Sequence, residues 1–155
     1  LLCVGVNGII DQMTVYNIYI FSPTGDLLFY QQWDRNKSSG MSLEEETKLM
    51  HGCLHSLKSF IFKISPIDIN EGFISFRTSK YKLNYLETPT GLKFVMNTDT
   101  NAQSVRELLF QLYAKIYVEY VVKNPLCRKN EVISSELFRS QVDEFIKQSP
   151  IFHFK

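Results

Sequence analysis

Two histidines four residues apart, His51 and His55, are the first candidates for chemistry, because that spacing on a helix presents two imidazoles to one metal ion. Position 52 is Gly rather than Glu, so the HExxH pattern of zinc hydrolases is absent, and no third ligand is suggested. The pair is read as two solvated histidines on an outer helix face. Glu44-Glu45-Glu46 offers carboxylates, but in the first turn of a predicted helix their negative charge complements the macrodipole. The glycines form neither a phosphate-binding loop nor GxGxxG, and Thr90-Gly91 reads as a hairpin turn. Cys3, Cys53 and Cys127 are an odd set without CxxC spacing, which points to free thiols in a reducing compartment. Cys53 falls within an apolar stripe and reads as packing. Cys127 falls in a loop, where accessibility is expected, and no nearby sequence feature marks it as a reactive thiol. His153 reads as a surface or interface residue. No nucleophile is assembled with a base, so the expectation is a non-enzyme without catalytic, cofactor-binding or metal-binding residues.

Composition narrows the partners. Net charge is +1, which disfavours a dedicated nucleic-acid binder and simple electrostatic docking on anionic lipid. With 12 Phe, 8 Tyr and one Trp, the chain is rich in side chains that supply contact area in cores and in protein interfaces. No apolar run approaches the length that spans a bilayer. The leader Leu1–Gln12 lacks a basic n-region and is broken by Asn7 and Gly8, so it reads as neither signal peptide nor anchor. Met13 is taken as the natural start, with residues 1–12 an upstream extension and 13–152 a single domain.

The elements that must position these residues follow from periodicity. Thr14–Ser22 and Leu27–Asp34 are β-branched and aromatic runs joined by Pro23-Thr24-Gly25-Asp26, a hairpin. In the first strand Val15, Tyr19 and Phe21 alternate with Tyr16, Ile18 and Ile20, so both sheet faces must be covered. Ser42 and Glu45 form a capping box, opening a helix that runs to about Ile64 and stops at Ser65-Pro66. Its predicted buried stripe is Leu43, Met50, Cys53, Leu54, Leu57, Ile61 and Ile64. Three further strands are predicted at Phe73–Arg77, Lys80–Glu87 and Leu92–Asn97, the middle one half-wet because Tyr81, Leu83 and Tyr85 alternate with Lys82 and Asn84. Helices over about Ala102–Lys123 and Ser134–Gln148 complete the order β-β-α-β-β-β-α-α. The fold class is α+β, a three-layer sandwich around a mainly antiparallel five-stranded sheet.

Two surfaces stand out. On the first helix Glu44, Lys48, His51, His55, Lys58 and Phe62 lie opposite the buried stripe, with Phe62 an exposed aromatic. On the Ala102–Lys123 helix, Val105, Leu109, Leu112, Ile116 and Tyr120 make a core face. Phe110, Ala114, Tyr117, Val118 and Val121 populate the other side, which favours a partner subunit over self-burial.

From Met13 to about Phe152 the chain resembles the small, longin-like (sedlin-type) subunits of the transport protein particle, TRAPP. The stretches that carry this are Tyr30–Arg35 (YQQWDR), Glu44–Phe60 (EEETKLMHGCLHSLKSF), Ser65–Ile69 (SPIDI), Thr78–Asp99, Tyr117–Cys127 (YVEYVVKNPLC) and Ser135–Ser140 (SELFRS). The resemblance implies a longin-like (profilin-like) fold with one helix on one sheet face and two on the other. It implies a non-catalytic subunit of a complex that activates a Rab GTPase during endoplasmic reticulum-to-Golgi vesicle transport. The implied partners are a second longin-like subunit, a helical acyl-binding-type subunit and, through the complex, the Rab GTPase. Nucleic acid is not among them, and membrane contact is indirect. The implied location is cytoplasmic, peripheral at the cis-Golgi and endoplasmic reticulum-Golgi vesicles. By analogy with other paired longin domains, Trp33, Arg35, Lys48, His51, His55 and Phe62 are GTPase-facing candidates. Phe110, Tyr117, Val118 and Val121 are subunit-interface candidates. The alternative within trafficking modules is a clathrin-adaptor small chain; a SNARE regulatory domain would continue into a heptad and a membrane segment.

Overall fold

The protein is described by a computed structural model over residues 14–68 and 75–149. The readings of Leu1–Gln12, Met13, Cys3, His153 and the Phe73-Ile74 start of the third strand lie outside the described residues, as do the ends of the expected domain.

Strand β1 (Val15–Phe21) turns through Pro23–Asp26 into β2 (Leu27–Gln32). The turn is closed by Ser22 N–H donating to Asp26 O at 2.8 Å and Gly25 N–H donating to Ser22 O at 3.0 Å. Helix α1 (Leu43–Ile64) then crosses to the other side of the sheet, followed by β3 (Ser75–Arg77), β4 (Lys82–Glu87) and β5 (Lys93–Thr98). The sheet order is β2-β1-β5-β4-β3 with every pair antiparallel. β1 and β5 therefore form the centre, which is why Ile18, Ile20, Phe21, Phe94, Val95 and Met96 have no exposed surface. Helix α2 (Val105–Leu112) continues directly into a π-helical segment, Tyr113–Val122, and α3 (Glu136–Gln148) closes the chain. One helix covers one face and the α2–π helix with α3 covers the other, as expected.

Helix ends follow local chemistry. In α1, Glu45 N–H donates to Ser42 Oγ at 3.2 Å and Ser42 N–H to Glu45 Oε2 at 3.1 Å, the reciprocal box expected. Ser65 is extended, as the residue before a proline must be, and the helix stops there. The outer edge of β2 is tied down: Ile133 N–H donates to Leu28 O at 2.8 Å and the Arg139 guanidinium to Tyr30 O at 3.3 Å.

Three expectations need correction. Val15 does not share a face with Tyr19 and Phe21. The register against β5 shifts between Val15 and Asn17, and this bulge turns Val15 onto the two-helix side with Ile18 and Ile20. β4 is not half-wet: Asn84 is buried, its Nδ2 donating to Met96 O at 3.2 Å and Thr98 Oγ1 at 3.0 Å, so the cross-strand groups replace water. The α1 stripe is narrower than expected. Only Thr47 and Leu54 are buried, with Met50, Leu57 and Ile61 partly so, while Leu43, Cys53 and Ile64 are exposed.

Candidate functional site

The α1 surface is organised around Glu46. Its carboxylate accepts from Arg35 through both guanidinium ends, at 2.6 and 2.9 Å, and from Ser39 Oγ at 2.7 Å. The Tyr19 hydroxyl donates to the same carboxylate, and Arg35 also donates to the Tyr30 hydroxyl at 3.2 Å. Glu46 is thus more than a carboxylate near a helix N-terminus. It fastens the loop carrying Arg35 and Ser39 and the sheet residue Tyr19 to the first turn of α1, and Tyr30 joins through Arg35. The Arg35 pairing, opposed by partial burial and aided by Tyr19 and Ser39, lowers its pKa to about 2. Burial and the Glu46 contacts push the Tyr19 hydroxyl well above its ordinary value. Arg35 therefore acts within its own fold as an intramolecular clamp.

The other five residues proposed to face a GTPase are not all brought together. Trp33 leaves this surface entirely. It packs on the two-helix core and its Nε1–H donates to Asp143 Oδ1 of α3 at 2.7 Å, because alternation along β2 sends it to the side opposite Tyr30. Lys48 is exposed and bridged to Glu44 at 2.6 Å. His51 is half-buried rather than solvated, its ring 5.9 Å from that of Phe21 and lying over Gly25. Burial first, then Lys93 and His55, lower its pKa against the opposing pull of Asp26, so the charged form of the ring is disfavoured. His55 and Phe62 remain exposed, the latter at 67%. Lys48, His55 and Phe62 recur at seven-residue intervals and share one flank of α1.

Gly25 explains the His51 position. Its φ of +97° lies in the left-handed region, and an added Cβ would fall inside contact distance of the imidazole. Gly25→Ala is expected to cost about 1–2 kcal/mol from the backbone alone and more from the displaced ring. Urea unfolding checks this, and adding His51→Ala should restore the steric part while leaving the backbone part.

The second flank of α1 carries Leu49, Cys53, Phe60 and Ile64, with Leu49, Phe60 and Ile64 exposed at 62%, 58% and 60%. Sequence reasoning missed Leu49 and Phe60, because they sit just outside the arc that the sheet can cover. Their signal was an apolar arc wider than one sheet face requires.

The α2–π helix also departs from expectation. Phe110 is exposed at 58% and Val118 is half-buried, but Tyr117 and Val121 are in the core. The cause is helical register: Lys123 N–H donates to Val118 O at 3.0 Å, an i→i+5 bond, and wider winding swings Tyr117 and Val121 inward. Val122 takes the outer position instead, 63% exposed.

Among the described residues, no group of three or more His, Cys, Asp or Glu is placed to hold a metal ion, and no helix is long and apolar enough to cross a membrane. An antiparallel five-stranded sheet flanked by one helix on one face and two on the other defines a longin-like α+β sandwich. Residues 15–149 match the Sybindin-like family, and the chain belongs to that family. It is 51% identical over 140 residues to trafficking protein particle complex subunit 1 of Rattus norvegicus, covering 90% of this chain and 97% of the relative. The Homo sapiens protein of the same name is 50% identical with the same coverage. That of Dictyostelium discoideum is 40% identical, over 89% of this chain and 98% of the relative.

Proposed function

We propose that the chain is a non-catalytic subunit of a transport protein particle complex, acting in vesicle traffic by presenting surfaces rather than reactive groups. The observation that carries this is the exposed apolar surface of α1: Leu49, Phe60, Phe62 and Ile64 stand 58–67% exposed on one helix. A helix that leaves this much apolar area in water gains from a partner that covers it. Family membership and identity along nearly the whole length of the named relatives support the same reading.

In finer detail, the Leu49–Phe60–Ile64 flank packs against a second longin-like subunit, and Phe110 with Val118 meets a helical acyl-binding-type subunit. The Lys48–His55–Phe62 flank then faces a Rab GTPase. Exchange in such an assembly is differential binding. The surface favours the nucleotide-free GTPase and so lowers the barrier to nucleotide release, with no proton transfer or covalent step. The setting is the cytoplasmic side of cis-Golgi and endoplasmic reticulum-Golgi membranes, reached through the complex.

Leu49→Asp with Phe60→Asp is expected to lower recovery of the second subunit in co-purification by at least about tenfold. The thermal midpoint of the isolated chain should stay near that of the wild type, since both side chains are exposed. His55→Ala with Phe62→Ala should slow nucleotide exchange in the reconstituted complex while assembly persists. Full exchange activity in an intact complex would remove that flank as the GTPase surface.

A further inference from the structure

A cavity of about 330 Å³ opens on the two-helix layer, away from α1. Its walls are Pro23 and Leu92 from the hairpin ends and Tyr113, Tyr117 and Val121 from the π-helical segment. The wide winding of that segment makes the wall, because it turns Tyr117 and Val121 inward together. The loop that follows contributes Arg128 and Lys129 to the lining. Arg128 meets only the exposed Glu131, at 3.6 Å, and Lys129 forms no ion pair among the described residues. Val122, also in the lining, is 63% exposed, and Leu126, adjacent in sequence to the lining residue Cys127, is 89% exposed.

We infer that this cavity docks a segment of a partner protein that presents one bulky apolar side chain beside acidic residues. The volume lies near the lower end for ligand pockets and suits a single large side chain. Arg128 and Lys129 supply a positive rim whose one internal counter-charge among the described residues is the exposed Glu131, 3.6 Å from Arg128, so carboxylates flanking the anchor complete it. Val122 and Leu126 add exposed apolar surface to that of the cavity, which a chain segment covers and a small free ligand does not. The inference rests on the reading of the protein as a subunit of an assembly, and it concerns a surface separate from α1.

The test uses the full chain in its reconstituted complex, with Val122 replaced by photoreactive benzoyl-phenylalanine. Irradiation should give a cross-link to a partner segment with Leu, Ile, Met or Phe within two residues of Asp or Glu. Arg128→Glu with Lys129→Glu should cut its yield at least about fivefold, and added salt should lower the wild-type yield. A cross-link confined to the chain itself, to a partner segment without acidic residues, or to anionic vesicles added to the sample would overturn the inference. So would an intact complex with no cross-link. Failure of the complex to form at all would instead count against the assembly reading, and it is seen before irradiation.

Discussion

Phe138→Ala is expected to cost the fold about 3–5 kcal/mol, among the largest single-residue losses available in the molecule. Phe138 has no exposed surface. Its ring stands edge-on to Phe29 at 4.9 Å and to Tyr117 at 6.3 Å, joining β2, the π-helical segment and α3 in one contact. Truncation removes the burial of an aromatic side chain and leaves a void that three elements would have to move together to fill. Urea unfolding should show a lower midpoint with an unchanged slope. The neighbour Leu137, 59% exposed on the same helix, provides the contrast: Leu137→Ala should fall within about 0.5 kcal/mol of wild type. If both variants unfold at the wild-type midpoint, α3 does not close the core as described.

Glu46→Gln is expected to remove about 2–3 kcal/mol at neutral pH, and its effect should vanish in acid. The carboxylate is largely enclosed, with 14% of its side-chain surface exposed, and Arg35 on the other side of the pair has 21%. Its folded pKa is about 2 against an ordinary 4.5. A depressed folded value means that this stabilisation is complete above pH 4.5 and is lost as pH falls from there toward 2. Gln keeps the shape but gives up the charge that Arg35, Tyr19 and Ser39 address, leaving Arg35 partly buried without its counter-charge. Unfolding midpoints of both proteins across this pH range should converge on the acid side. A constant difference would place the stabilisation in packing rather than in charge.

What was legible in the residues was what local chemistry decides. Ser42, Glu45 and Ser65-Pro66 bracket α1 because capping and proline sterics act within a few residues. The β1–β2 hairpin follows from Pro23–Asp26 and the covering of both sheet faces from strands apolar on each side, whereas the one-and-two split of the helices came from the family resemblance. What was not legible depended on partners far along the chain. Asn84 is dry because Met96 and Thr98 lie across the sheet, and Trp33 faces α3 because of Asp143. The bulge at Val15 and the i→i+5 winding near Tyr117 each change register, and a fixed period carried across them assigns Val15, Tyr117 and Val121 to the wrong face. Glu46 could be located as a first-turn carboxylate, but its clamp on Arg35 requires the fold.

The division of apolar residues between the two layers is uneven. Among the described residues, twenty-one buried hydrophobic side chains form the cluster on the α2–π and α3 side, and six form the cluster under α1. The chain is therefore a body of two tiers with different free energies of opening. The upper tier, α1, is expected to open and reclose many times before the lower one yields, so hydrogen exchange should find its backbone amides less protected than those of α3. A partner seated on α1, as proposed above, would add the missing half of that thin layer, so association and local rigidity would become one process.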